Sequence, residues 1–157
     1  MALFDRLRRL VPARPSPDPF VRGTRELERG RLDTAAAAFG EALGTATTAR
    51  QVAAVRNKLA VVAIQRHDLG GAVEQLTLAL EADPRSPAAI TTLGNLLLED
   101  GHVDEAIEHY EYALMIDDRY AAAYHNLGVA LHRKGRRGAA VRMLRKAGRL
   151  EGRIISR

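Results

Sequence analysis

With 157 residues and a net charge of +5, the chain is long enough for one domain with a real core. Apolar residues make up 46% of it, many of them alanine, but aromatic residues only 4%, a balance that favours packed helices over a sheet. The absence of cysteine excludes disulfides and thiolate chemistry, and no apolar run approaches the roughly 20 residues of a membrane-spanning helix.

Residues 1–17 form a basic amphipathic segment followed by a proline-rich linker. Apolar side chains share one face of a predicted helix, and the arginines Arg6, Arg8 and Arg9 lie largely elsewhere on it. Such a helix can cover the first folded unit, lie on an anionic membrane or dock on a partner, and we favour the first role. Because the arginines interrupt any secretory signal, we expect a cytoplasmic protein, with peripheral attachment to a membrane as the alternative. The apolar face consists of Leu3, Phe4, Leu7 and Leu10.

The first of four predicted units spans residues 18–46. It begins with Asp18 as an N-cap, followed by a proline at the first helical position. From Gly30 to His67, the corresponding turn of the next unit, the spacing is 37 residues, whereas the later turns lie 34 apart. The three extra residues predict a longer loop or an extended helix near residues 44–48.

The second unit spans residues 47–85 and departs from the later units at its turn. Thr48 and Gln51 match a capping box, so we expect a helix to begin there. His67 stands where the later units have glycine, which predicts a less regular turn. Asp68 is suited to cap the helix that follows.

The third and fourth units, residues 86–118 and 119–150, follow one plan. Ser86 is an N-cap before a proline, and Asp118 is suited to cap the first helix of the fourth unit. The turns inside these units are marked by glycines, which favour the left-handed conformation that ends a helix. These glycines are Gly101 and Gly135.

Large and small residues recur in one order at a period of 34 residues through the last three units. Small residues let two antiparallel helices approach closely, and a large residue fills the gap beside them. Each helix pair then leaves an apolar face that the next pair covers. The recurring positions are Leu59, Leu93 and Leu127; Ala72, Ala106 and Ala140; Leu76, Tyr110 and Leu144; and Ala79, Ala113 and Ala147.

This order of residues resembles the tetratricopeptide repeat family, whose units run aromatic, leucine-glycine, aromatic, alanine, aromatic and proline. The third unit, TTLGNLLLEDGHVDEAIEHYEYALMIDD, carries the resemblance most fully; Tyr124 opens the fourth and Pro84 closes the second. The resemblance implies an all-α, right-handed superhelix of about four helix pairs over residues 18–150. It also implies a protein–protein interaction scaffold that holds a peptide or a partner's helix in a concave groove lined by the first helices.

The groove would be lined by side chains of the first helices that do not pack into the core. Asn95 is the leading candidate, because one amide can both donate to and accept from a peptide backbone. For any single position, a merely solvated side chain is the simpler interpretation. Some family members grip a terminal carboxylate with a lysine, arginine and asparagine clamp, which this sequence does not reproduce. The predicted groove residues are Asn57, Lys58, Val61, Gln65, Thr91, Asn95, Leu98, Glu99, His125, Val129, His132 and Arg133.

Basic residues concentrate in the last predicted helix and in the tail, residues 151–157. Side chains spaced three and four apart share one outward face, which could bind the phosphates of nucleic acid or of an anionic membrane. A solvated capping helix is the alternative that we favour, because no aromatic residues alternate with these bases. The residues of this predicted basic surface are Arg142, Arg145, Lys146 and Arg149.

The charge is uneven along the chain, which bears on self-association. Residues 32–131 carry six basic and fourteen acidic side chains, whereas residues 132–157 carry ten basic and one acidic. A homo-oligomer could form head to tail through these opposite charges, although we expect much of the attraction to be used inside one molecule.

No convergent set of catalytic residues is present in the sequence. Two histidine pairs lie seven residues apart, roughly 10 Å along a helix, which is too far to share a metal. The sequence has no phosphate-binding glycine loop and no nucleophile motif. We therefore predict a non-catalytic protein without a metal or another cofactor; an enzyme with an unrecognised site is the rival. The pairs are His102 with His109, and His125 with His132.

Overall fold

Eight α-helices make up most of the chain that the computed structural model describes, residues 18–155, and no strand occurs within that range. The helices pair in sequence, α1 with α2, α3 with α4, α5 with α6 and α7 with α8, which confirms the predicted all-α solenoid. The predicted N-terminal helix and linker, residues 1–17, lie outside the described residues. The helices are α1 (Pro19–Glu28), α2 (Leu32–Thr45), α3 (Ala49–Gln65), α4 (Leu69–Ala82), α5 (Pro87–Glu99), α6 (Val103–Ile116), α7 (Ala121–Arg133) and α8 (Arg137–Ile155).

Side-chain caps begin four of these helices where the sequence predicts them. The caps satisfy backbone N–H groups that have no partner inside a helix. The predicted cap at Asp118 is wrong, because Tyr120 is the N-cap of α7 and its side chain makes no capping bond. Tyr120 lies 34 residues after Ser86, so the cap position keeps the repeat register. The four confirmed caps are Asp18, Thr48 with Gln51, Asp68 and Ser86.

Each helix pair turns at a residue in the left-handed backbone conformation. The angle φ is 71° at Gly30, 90° at Gly101, 78° at Gly135 and 60° at His67. Glycine takes this conformation at little cost, whereas a residue with a Cβ atom loses roughly 1–2 kcal/mol. The turn at His67 therefore shares the left-handed geometry of the others and carries backbone strain in addition.

The three extra residues between the first two turns lie in α3. This helix has 17 residues, whereas α5 and α7 have 13 each. The link before it is residues 46–48, one residue shorter than the link 83–86 before α5. Of the two predicted alternatives, the extended helix is therefore confirmed.

Close contacts between the two helices of a pair explain the order of small and large residues. A Cβ atom at Gly94 would lie 2.7 Å from Cε1 of Tyr110, and one at Gly128 would lie 2.7 Å from Cγ of Leu144. A Cβ atom at Gly23 of the first pair would lie 2.6 Å from Cε1 of Phe39. In these three pairs the large residue of the second helix thus occupies the space left by a glycine of the first.

Clusters of buried residues link each of the four pairs to the next. Phe39 of the first pair packs in one cluster with Val62 of the second. Leu76 of the second pair clusters with Ala89 of the third, and Tyr110 of the third with Leu127 of the fourth. Each pair therefore completes the core of its neighbour. No helix within residues 18–155 has the length and apolar character needed to cross a membrane, and the predicted cytoplasmic location stays a prediction.

Candidate binding groove

Equivalent positions of the first helices form columns along the array when they are counted back from the left-handed residue of each pair. The columns differ in chemistry from one end of the array to the other, because α1 begins with apolar residues where the later helices have polar ones. Ten residues before the turn stand Phe20, Asn57, Thr91 and His125; six before stand Thr24, Val61, Asn95 and Val129; two before stand Glu28, Gln65, Glu99 and Arg133.

The twelve predicted groove residues fall into three classes of exposure. Asn57, Thr91 and Leu98 are buried, at 7%, 3% and 6% of their full exposure, so they offer little surface to a ligand. Leu98 also belongs to the core shared by the third and fourth pairs. The half-buried residues are Lys58, Val61, Asn95 and Val129, and the exposed ones are Gln65, Glu99, His125, His132 and Arg133.

Asn95 joins the third pair to the fourth. Its Oδ1 atom accepts hydrogen bonds from the hydroxyl of Tyr110, at 2.8 Å, and from Nδ2 of Asn126, at 2.7 Å. These two bonds use the acceptor capacity of the amide, whereas its Nδ2 donors make no hydrogen bond within the described part of the chain. Asn95 can therefore donate to a ligand but has no lone pair left to accept from one.

The hydroxyl of Tyr110 is held in its neutral form. Burial is the main cause that raises the pKa of Tyr110 to about 12; the charge of Arg133 lowers this pKa and that of Glu99 raises it. A neutral hydroxyl keeps its proton for Asn95 throughout the physiological range. The sequence carried one signal of this bond, because a buried tyrosine needs a partner for its hydroxyl and the equivalent positions hold phenylalanine or leucine.

Arg133 bonds to the third pair and is not part of an open carboxylate-binding clamp. Its Nη1 atom donates to the backbone carbonyl of Leu98, at 2.8 Å. The neighbouring Lys134 forms an ion pair with Asp104 on α6. Both contacts hold α7 against the preceding pair, so the two cations contribute first to the junction between pairs and only secondarily to a ligand surface.

Two polar atoms in one column have no hydrogen-bond partner within the described residues. They are Oδ1 of Asn57 and Oγ1 of Thr91, on adjacent first helices and ten residues before their respective turns. Buried polar atoms are almost always paired, because an unpaired one costs the free energy of its lost hydration. The column therefore has unused hydrogen-bonding capacity at its centre.

Three of the four residues of the predicted basic surface are exposed on α8, namely Arg142, Arg145 and Arg149. Lys146 differs, because its ammonium group lies 4.9 Å from the ring centroid of Tyr124 and the side chain is half-buried. A cation over an aromatic face gains electrostatic stabilisation from the ring. The exposed basic surface thus contains three of the four residues that the sequence spacing predicts. Residues 151–155 of the predicted tail continue α8.

His102 lies among carboxylates at the start of α6. Its Nδ1 atom is 2.8 Å from Glu105 and its Nε2 atom is 3.1 Å from Asp100. The hydrogen bond to Glu105, with the charges of both carboxylates, raises the pKa of His102. No group of three or more histidine and acidic side chains within residues 18–152 is placed to hold a metal ion.

Family comparisons match three stretches of the chain. A family described as "Tetratricopeptide repeat" matches residues 20–87, and another of the same description matches residues 121–151. A family described as "TPR repeat" matches residues 94–135. Together these stretches cover most of the described helices.

Curated relatives match parts of the array. A small glutamine-rich tetratricopeptide repeat-containing protein 2 from Mycosarcoma maydis is 34% identical over 98 residues, which is 62% of this chain and 27% of that protein. The protein O-mannosyl-transferase TMTC1 of Mus musculus is 37% identical over 70 residues, 42% of this chain and 7% of that protein. The chain thus spans less than a third of either relative, and the transferase name describes a far longer protein.

Solved structures share the fold. A crystal structure of MamA matches with a TM-score of 0.61 and 23% identity, over 96% of this chain and 87% of that one. The pilF protein of Pseudomonas aeruginosa matches with a TM-score of 0.68 and 24% identity, over 84% and 59%. YrrB, described as a TPR protein with an unusual peptide-binding site, matches with a TM-score of 0.57 and 24% identity, over 83% and 66%. At these identities the likeness concerns the fold alone.

Proposed function

This chain belongs to the tetratricopeptide repeat family, whose members are typically non-catalytic scaffolds for protein interactions, and we propose that its groove binds a peptide or a helix of a partner protein. The groove runs along α1, α3, α5 and α7. The ligand would lie across several repeats, because a repeat array forms a long surface with no single deep pocket.

The observation that carries this proposal is the unused hydrogen-bonding capacity along the groove. The Nδ2 donors of Asn95 make no hydrogen bond within the described residues, and this side chain is half-buried, whereas the unpaired Oδ1 of Asn57 and Oγ1 of Thr91 lie beneath the surface. A peptide backbone offers both N–H donors and carbonyl acceptors at regular intervals. The Asn95 donors can meet a backbone carbonyl, and the exposed side chains of Gln65 and His125 offer further polar groups on α3 and α7, which favours a peptide over an apolar small molecule.

The exposed groove residues provide the test with the least risk to folding. Gln65 and His125 lie on α3 and α7, and neither makes a hydrogen bond within the described part of the chain. Peptides are selected from a random library displayed on phage, and their affinities are measured for the wild type and for the double variant Gln65→Ala, His125→Ala. We expect at least a tenfold loss of affinity, which corresponds to about 1.4 kcal/mol.

The matched control changes two exposed residues of second helices, Glu74→Ala on α4 and Glu108→Ala on α6. These positions lie away from the proposed groove, so the selected peptides should bind this variant as they bind the wild type. If both double variants bind equally well, or if no peptide is selected, the groove is not the binding surface.

The basic surface of α8 is a second candidate binding site, favoured by the exposure of Arg142, Arg145 and Arg149. It would attach the protein to nucleic acid or to an anionic membrane. Cations that neutralise phosphates release counterions, so such binding weakens steeply with salt. Binding of duplex DNA and of phosphatidylserine vesicles is measured between low and physiological salt, for the wild type and for a variant with the three arginines changed to glutamine. Binding that the triple variant retains would exclude this surface.

A further inference from the structure

The outer side of α1 has no helix against it in the described part of the chain. Each later first helix, α3, α5 and α7, packs on the second helix of the pair before it. No pair precedes α1 within residues 18–155. α1 therefore presents to its surroundings a face that the other first helices bury in a junction.

The position nine residues before the turn identifies this face. In α5 it is Thr92, which is 7% exposed, and in α7 it is Asn126, which reaches back to Asn95 of the preceding pair. In α1 the same position is Val21, which is 50% exposed. In α3 the position holds Lys58, which is half-buried. Val21 is thus apolar and exposed where its counterparts are polar and more buried, which indicates an apolar occupant.

Two hollows flank Val21 and its neighbour Phe20. One, of about 490 Å³, is formed with the end of α2 and the first turns of α3, and it includes Ala42 and Val55 in its lining. The other, of about 350 Å³, runs along α1 toward Glu28. Asp18, the first described residue, lines the larger hollow, so the preceding chain starts at this surface.

The sequence before Asp18 carries the apolar spacing of a second helix. Large or small apolar residues stand at positions i, i+1, i+4, i+7 and i+8 of every second helix of the first three pairs. In α4, for example, they are Ala72, Val73, Leu76, Ala79 and Leu80, and in α6 they are Ala106, Ile107, Tyr110, Ala113 and Leu114. The same spacing is found before α1, at Leu3, Phe4, Leu7, Leu10 and Val11.

The connection is long enough for this segment to return along α1. Residues 12–17 contain three prolines and would span about 19 Å in a polyproline conformation, whereas a ten-residue helix such as α1 is about 15 Å long. The links between later pairs manage the same reversal with three or four residues. A link this short also favours docking within one molecule over docking on a second copy.

We propose that residues 3–11 dock as a helix on α1 of the same molecule, over Phe20 and Val21, and act as a second helix that closes the array at this end. The segment would supply to α1 what α2 supplies to α3. Its arginines Arg6, Arg8 and Arg9 would lie toward solvent, because the apolar positions face α1.

A single tryptophan tests this docking, because the chain has none of its own. The variant Leu7→Trp places it at the centre of the segment. We expect blue-shifted emission and several-fold less quenching by acrylamide than for a solvent-exposed tryptophan. Adding Val21→Asp should shift the emission to that of an exposed tryptophan, whereas adding Met115→Asp, at a position that is 81% exposed on α6, should not. Far-UV circular dichroism confirms that each variant remains helical.

Three results would overturn the proposal: an exposed tryptophan in Leu7→Trp, a blue shift that depends on protein concentration, or one that appears only with phosphatidylserine vesicles. A disulfide provides an independent measurement in this cysteine-free chain. The pair Leu10→Cys, Val21→Cys should oxidise to a crosslinked monomer. If it yields crosslinked dimers, or no more monomer crosslink than the pair Leu10→Cys, Met115→Cys, residues 3–11 do not dock on their own α1.

Discussion

His67 carries backbone strain that its counterparts avoid, because it has a Cβ atom at φ 60° where the other pairs have glycine. We expect His67→Gly to raise the free energy of unfolding by about 0.5–1 kcal/mol. Removing the Cβ atom from a left-handed residue relieves roughly 1–2 kcal/mol of strain. This gain is partly offset because glycine has more conformational freedom in the unfolded chain. Urea unfolding measures the change. Gly135→His, at the equivalent turn of the fourth pair, should lower stability by a similar amount, and a neutral result for both variants would contradict the strain.

The hydroxyl of Tyr110 contributes a hydrogen bond inside the third pair, to the Asn95 side chain that also bonds to the fourth pair. Tyr110→Phe removes the donor to Oδ1 of Asn95, and we expect a loss of about 0.5–1.5 kcal/mol in the free energy of unfolding. Tyr112→Phe is the matched control, because Tyr112 is 47% exposed and lies on the same helix. The control should change stability by less than about 0.5 kcal/mol. Equal effects in urea unfolding would show that the buried bond contributes nothing.

The sequence predicted which side chains share a column of the groove but not how exposed each of them is. The period of 34 residues places Asn57, Thr91 and His125 in one column, yet two are buried and one is exposed. Their burial depends on how closely each helix approaches its neighbours in the next pair. That approach is set by tertiary packing, which no single repeat contains.

The stability of the start of α6 depends on pH through His102. Its raised pKa means that the charged form is stabilised by folding, mainly by the hydrogen bond to Glu105. This contribution is complete at pH values below the ordinary histidine pKa and is lost as the pH rises through the raised pKa. We expect NMR titration to place the pKa of His102 above 6.5, and Glu105→Gln to lower it. Glu108→Gln changes another carboxylate of α6 and should leave this titration unchanged; a response to Glu108→Gln alone would exclude Glu105 as the cause.

The sequence contains more evidence for the extended α3 than the spacing of the turns alone provides. A spacing of 37 residues leaves a loop and a helix equally open, but the capping box at Thr48 commits the chain to a helix that starts at Ala49. Only residues 46–48 then remain for the link. For α7 the local sequence was misleading. Asp118 in the preceding link suggested a cap, but the repeat register places the N-cap at Tyr120.

The junctions between successive helix pairs differ in strength. Between the second and third pairs an open cleft of about 460 Å³ remains, lined by Leu69, Val73, Leu93, Leu96 and Leu97. Val73 is 53% exposed there, whereas its counterpart Ile107, at the next junction, is 8% exposed. The next junction also has the hydrogen bond from Asn126 on α7 to Asn95 on α5. The array is therefore weakest at its middle.

A weak middle junction predicts that the two halves open separately. In a repeat array, stability is close to a sum of terms for each unit and each junction, so a loss in one half need not reach the other. We expect Tyr110→Phe to speed hydrogen exchange of the amides of α5–α8 in mild denaturant while those of α1–α4 keep their rates. Phe39→Leu, which removes buried volume from the first pair, should do the reverse. If either substitution speeds exchange equally in all eight helices, the four pairs unfold as one cooperative unit. The exposure of Val73 would then reflect local packing and not a weak junction.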